Sequence, residues 1–349
     1  MVIRAFGTLP NGEPVEAYTL ANDAGASAEI LTYGGIVRSL RMPDRTGSFS
    51  DVVLGFEKLG DYLAGHSYHG AIVGRIAGRV RGGRLVIDGR AWPLPCNDGP
   101  NHLHGGLIGF DRRLWVATPL PGGDGSSSLR LTYLSADGEE GYPGAVRVAV
   151  TYTLTAANEL VFESEAAADR PTPLSLTQHS YFNLAGEGSG PALGHEIQIL
   201  AEEYAPADDL LTLLDRREPV SGRGADLTSP RRLGDALPGL SKGHGDLYLL
   251  RPPGTLPPPE PTLAARVAEP RSGRVLEAFT DDSCLQFYTG VALDGPVAGK
   301  SGRPYGPHAG FCLECQGYPN PSALDGFGDI MVRPGRAQRR RTIYAFSAA

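Results

Sequence analysis

Chain breakers run through this sequence from end to end. Of 349 residues, 47 are glycine and 29 are proline, against usual shares of roughly 7% and 5%. Proline cannot continue a helical ladder, and an interior glycine costs a helix about 1 kcal/mol relative to alanine. A helix bundle or coiled coil built on this chain would be interrupted every few residues. There is no Gly-X-Y period to make it collagen. With 41% hydrophobic residues and a formal charge of only −7, the chain has the apolar content to fold. What remains is an architecture of many short strands joined by many turns.

Period-two alternation supports this. It occurs at residues 28–35, 84–89, 128–134, 146–154 and 159–166. The second run ends in Asp88-Gly89, a hairpin turn signal, and the last two are separated by a short turn at 156–158, which predicts a hairpin. The best helical candidate, residues 202–217, is interrupted by Pro206. Residues 222–243 show few strand signals and read as a surface loop. The proline-rich segment 252–261 reads as a stiff loop, because the same strand pattern continues on both sides of it. No fixed-period repeat is present. The expectation is an all-β fold of large antiparallel sheets stacked as a sandwich, in a single domain spanning residues 1–349.

The acidic balance argues against nucleic acid as a partner, and the Arg339-Arg340-Arg341 run reads as a solvated strand end. No apolar stretch approaches the ~18 residues of a membrane helix, and the first residues lack a secretory leader pattern. The four cysteines (Cys96, Cys284, Cys312, Cys315) are too few for a disulfide framework. Cys312 and Cys315 have CxxC spacing without a second pair, and on a strand their thiols point to opposite faces. They read as buried cysteines, and the cytoplasm is the expected compartment.

Three patches crowd polar and ionisable groups where a strand should be quiet. In residues 97–106, His102 and His104 would share a face of an extended chain. A metal pair is one reading, but no third ligand stands at a convincing spacing, and a hydrogen-bonded loop histidine is the other. In residues 175–184, His179, Tyr181 and Asn183 would share one strand face and offer a titratable group, a phenol and an amide. In residues 311–320, Glu314 is a lone carboxylate in an uncharged, hydrophobic run. Burial of such a group moves its pKa toward what a general base needs. Gln286 and Tyr288 share a face of a further run. Arg75 and Arg79 stand four apart in a glycine-rich segment that lacks the Walker spacing and its lysine. There is no Gly-x-Ser-x-Gly elbow and no GxGxxG, so nucleophilic-serine and dinucleotide chemistry lose their sequence support.

Five of these segments, in this order, resemble the aldose 1-epimerase (galactose mutarotase) family: residues 74–79, 101–106, 177–184, 286–290 and 313–319. The resemblance runs from about Ala28 to Arg333. It implies a galactose mutarotase-like β-supersandwich with its site in an open cleft on one sheet face. The implied function interconverts the α and β anomers of a free aldose such as glucose or galactose, with neither cofactor nor metal. By the resemblance Glu314 is the base at the C1 hydroxyl, His179 the acid at the ring oxygen, and His104 shares the acid role. Arg79 and Gln286 hold hydroxyls, and Tyr181 lines the floor. The partner implied is a small monosaccharide, and the expected assembly is a monomer or homodimer.

Three positions depart from the family pattern. Gln178 and Gly78 each stand where the family has Asn. Gly245 occupies the slot of a sugar-binding Asp, with Asp246 one place late as a provisional contact. On a strand a one-residue slip reverses the face. Two other readings stay open: a sugar-binding or sensor protein on the same scaffold, and a hexose-phosphate 1-epimerase with Arg75 and Arg79 gripping the phosphate. A glycoside hydrolase fits less well, because it usually needs two carboxylates flanking one bond.

Overall fold

The alternating run Val146–Leu154 lies inside a nine-stranded antiparallel sheet of the computed structural model, which describes residues 1–65, 67–251, 255, 257–320 and 330–349. Val148, Val150, Tyr152 and Leu154 are buried, while Arg147 points to solvent. That one-sided burial is what alternation requires of a half-covered sheet. The strand pairs with Ser127–Ser135 on one side and Glu159–Ala168 on the other. The sheet continues through the C-terminal strand Gln338–Ala348 to Arg274–Thr280 and Thr262–Ala268. The Asp88-Gly89 hairpin forms as its sequence demands: both residues have positive φ (48° and 77°) and join Arg84–Ile87 to Arg90–Pro93.

Two five-stranded antiparallel sheets complete the main frame. The first runs in chain order from Val2–Thr8 to Phe49–Asp51. Its buried side chains, among them Leu20, Ile30 and Leu40, share a core with Leu129, Val150 and Phe162 of the large sheet. The Tyr152 hydroxyl crosses this core to donate to the Gly35 carbonyl at 3.0 Å. The other five-stranded sheet orders Glu218–Pro219, Glu203–Ala205, Leu247–Leu249, Cys284–Tyr288 and Cys312–Gln316. Its apolar face (Leu285, Phe287, Leu313, Cys315) packs into the same core, and the Tyr344 hydroxyl of the large sheet donates to the Leu313 carbonyl at 2.8 Å. The opposite face is the one left to carry chemistry.

As the interruption at Pro206 suggests, residues 202–217 hold no helix: Glu203–Ala205 is a strand, and Asp208 then organises a turn by accepting the Leu210 and Thr212 N–H groups at 2.9 Å each. One expectation needs correction. Residues 222–243 are more than a loop. Arg231–Arg232 adds an edge strand to the large sheet, and Leu233–Ala236 is a short helix. Leu233 and Ala236, three apart, are both buried, as one face of a helical turn requires. Of the proline-rich segment, residues 252–254 and 256 lie outside the described residues.

Candidate active site

Strands Cys284–Tyr288 and Cys312–Gln316 pair in antiparallel register, with Gln286 directly opposite Glu314. Directly opposed residues project on the same face. Glu314 and Gln286 therefore rise together from the sheet into a cavity of about 350 Å³, which Tyr288 and Gln316 also line. Sites for small molecules start at roughly 300 Å³. Because alternate residues face opposite ways, Cys315 turns into the main core while Cys312 stays beneath the site, its Sγ 3.6 Å from His179 Nδ1. All four cysteines are free.

The chain around His179 reaches the cavity differently. Only Thr177–Gln178 is strand, and His179 continues in irregular backbone whose amide donates to the Ala71 carbonyl at 2.9 Å. Its Nε2 lies 3.5 Å from Glu314 Oε1, and both side chains are 3% exposed. Glu314 Oε2 is buried with no hydrogen-bond partner among the described residues. Burial pushes the Glu314 carboxyl up to about 8, with Arg79 pulling the other way, and drops the His179 imidazole to about 4. Burial therefore favours the uncharged form of each group.

His104 stands above this pair, its ring 5.4 Å from that of His179 and nearly perpendicular to it. Its Nδ1 accepts the Gly78 N–H at 3.1 Å, which leaves the ring proton on Nε2. Burial, then the nearby His179, holds it well below the usual histidine range, so it is a neutral donor. The ligand atoms of His104, His179 and Glu314 lie within 4.8 Å of one another, a grouping that could also hold a cation. Arg79 lines the cavity with its Nε anchored on Asp98 at 2.7 Å. Tyr181 also lines it, and its ring centroid is 5.1 Å from that of His179.

Six of the seven residues singled out in the sequence thus meet in one cavity. Asp246 does not. It follows Gly245 and precedes Leu247, the cross-strand partner of Gln286, so it projects away from the site, and its carboxylate accepts hydrogen bonds from the Ser241 hydroxyl and N–H. Nor do His102 and His104 share a face. His104 has φ of 52°, which turns the chain, and His102 is spent between the Pro95 carbonyl (2.8 Å) and the Tyr142 hydroxyl (2.6 Å). Asn183 likewise serves the fold, donating to the Gly190 and Ala309 carbonyls.

The departures at 78 and 178 have structural reasons. The Gln178 amide bridges the Gly70 carbonyl and Ser180 and lies outside the cavity. Gly78 has φ of 87°, and a Cβ there would press on Pro319 at 3.2 Å and the Gln316 amide at 3.3 Å. Arg75 is not a phosphate grip. It is 2% exposed, and its guanidinium donates to Ser135, Ala136 and Pro143. Sequence reasoning missed Tyr68, His244 and Gln316, which also line the cavity. Gln316 was readable, standing two residues from Glu314 on one strand. Tyr68 carries no local pattern.

The aldose 1-epimerase family model matches residues 16–345. Galactose mutarotase from Rattus norvegicus is 42% identical over 346 residues, covering 99% of this chain and 98% of the relative. This chain belongs to the aldose 1-epimerase family. Within that family, aldose 1-epimerase from Escherichia coli K12 is 32% identical, with 97% of each chain covered. The crystal structure of galactose 1-epimerase from Lactobacillus acidophilus superposes with a TM-score of 0.83 at 27% identity, over 100% of this chain and 98% of that one. An aldose epimerase homologue from C. elegans gives 0.85 at 27%, over 95% and 99%. The expected fold is therefore the fold of an aldose 1-epimerase, and the chain is an isomerase.

Proposed function

We propose that this epimerase interconverts the α and β anomers of a free aldohexose such as glucose or galactose, with Glu314 as base and His179 as acid. The observation that supports this reading best is the buried His179–Glu314 pair, 3.5 Å apart in a sugar-sized cavity. The two oxygens that must exchange protons are both bonded to C1, so acid and base have to stand within a few ångströms of each other.

Ring opening takes the proton from the C1 hydroxyl to Glu314 Oε2, the oxygen with no protein partner. His179 gives its Nε2 proton to the ring oxygen as the C1–O5 bond breaks. The products are a C1 aldehyde and a C5 hydroxyl. Rotation about C1–C2 presents the other carbonyl face. The C5 oxygen adds back, its proton returns to His179, and Glu314 returns its own to O1. Protons and electrons balance at every step, and no group is transferred. Burial favours the uncharged forms of Glu314 and His179, which are their forms at the open-chain stage, so the pair is suited to stabilise that species. Acid and base each contribute on the order of 10²–10⁴-fold. His104 donates to the ring oxygen, and Arg79 and Gln286 orient hydroxyls.

The whole chain acts as one domain in this reading, since the main core collects residues from Tyr18 to Phe346. Free thiols suit a reducing compartment, which supports a cytoplasmic enzyme working as a monomer or homodimer. No helix among the described residues is long and apolar enough to cross a membrane. Polarimetry on freshly dissolved α-glucose and α-galactose tests the function. The protein should speed the approach to equilibrium rotation, and no acceleration with any common aldose overturns the reading.

A further inference from the structure

The sugar-binding side of the cavity carries an unassigned group. Gly245 has φ of 113°, and a Cβ there would sit 2.1 Å from the Phe287 carbonyl oxygen. No carboxylate can project from that position without displacing the neighbouring strand. The same left-handed φ breaks the strict alternation of the strand and brings the preceding side chain, His244, over the cavity face. Its ring lies against Tyr288, 4.4 Å between centroids and tilted by 32°. The backbone amide of Thr289 donates to the His244 carbonyl at 2.9 Å, which fixes the base of the side chain.

We propose that His244 is a sugar contact of this enzyme, accepting a substrate hydroxyl on the side of the cavity where Arg79 and Gln286 hold others. The inference rests on the epimerase reading above. Burial, then the Arg79 charge, drops this imidazole to about 4, so the ring is neutral at pH 7. A neutral imidazole carries one N–H donor and one bare, accepting nitrogen. Placed in the cavity wall against Tyr288, the ring can turn that accepting nitrogen to a hydroxyl. It therefore reads a hydroxyl as a carboxylate would, without adding negative charge beside Glu314. The aromatic surface of Tyr288 holds the ring in place, so little side-chain entropy is lost on binding.

Steady-state kinetics on glucose and galactose with wild type, His244→Ala and His244→Asn test this, together with 2-, 3-, 4- and 6-deoxy analogues. In wild type one deoxy sugar should show a KM raised by about tenfold. In His244→Ala the KM of the parent sugar should rise about as much, kcat should stay within threefold, and the penalty for that deoxy sugar should vanish. His244→Asn, which keeps an acceptor, should recover part of the KM. A merely structural role would leave the penalty for each missing hydroxyl unchanged. KM within twofold of wild type in His244→Ala, or the persistence of every deoxy penalty in it, overturns the inference. An inert wild type instead overturns the epimerase reading.

Discussion

His179 Nε2 and Glu314 Oε1 lie 3.5 Å apart with almost no solvent contact. They come from different parts of the fold, an irregular segment after Thr177–Gln178 and the strand Cys312–Gln316. Among the described residues neither makes an ion pair with a third group, which suits the proton exchange proposed for the pair.

Removing either end of the pair should abolish most catalysis while sparing the fold. Glu314→Gln and His179→Asn keep size and polarity, so each should lower kcat by on the order of 10²–10⁴ with the unfolding midpoint close to wild type. Polarimetric kinetics and circular dichroism melting check both halves. Near-normal rates in either variant would contradict the assignment.

The pH profile follows from the same pair. One shared proton is needed. Below the lower value, about 4 at His179, a second proton binds and the base is lost. Above the upper value, about 8 at Glu314, no proton remains and the acid is lost. The expected kcat/KM profile is a bell with limbs near these values, which belong to the coupled pair. The measurement is enzyme-dependent mutarotation from pH 3.5 to 9 after subtraction of the spontaneous rate. A profile flat across that range would contradict a proton-sharing pair.

Much of this cavity was legible before any coordinates. Glu314 stood out as a lone charge in a hydrophobic run, and a strand is the one local structure that makes such a residue a cavity wall. Gln286 was legible for the same reason, since a two-residue period places it beside Tyr288. What stayed hidden depends on backbone sign. The left-handed φ at His104 separates it from His102, and that at Gly245 delivers His244 in place of Asp246. Glycine permits such a turn without announcing it, and histidine at positive φ announces nothing at all. The helix at Leu233–Ala236 was hidden because it is a single turn with two spaced apolar residues among breakers.

Asp246 gives a sharp contrast with the cavity residues. Its carboxylate is occupied by Ser241, so Asp246→Ala should cost stability of about 1–3 kcal/mol through lost and unsatisfied hydrogen bonds. KM for glucose and galactose should stay within twofold. Urea denaturation and initial-rate kinetics measure the two quantities. A tenfold KM rise at unchanged stability would return Asp246 to the sugar.

Arg75 should behave as a core residue despite its charge. Arg75→Ala strands the Ser135, Ala136 and Pro143 acceptors and should lower stability by roughly 3 kcal/mol or more. Arg75→Lys should rescue little, because an ammonium cannot reproduce the planar fork. Wild type should not favour glucose 6-phosphate over glucose in the polarimetric assay. A clear preference for the phosphate would show that an anion site exists elsewhere in the cleft.

The register between Cys284–Tyr288 and Cys312–Gln316 locks Gln286 opposite Glu314. The carboxyl and the amide are thereby rungs of a single ladder, while Arg79 and His244 arrive from neighbouring turns and strand ends. Sugar preference can be retuned at those arriving residues without touching the spacing on which proton transfer depends. In the proposed mechanism the cleft is divisible: one half is a fixed instrument for moving protons, and the other is an adjustable grip that decides which sugar the instrument receives.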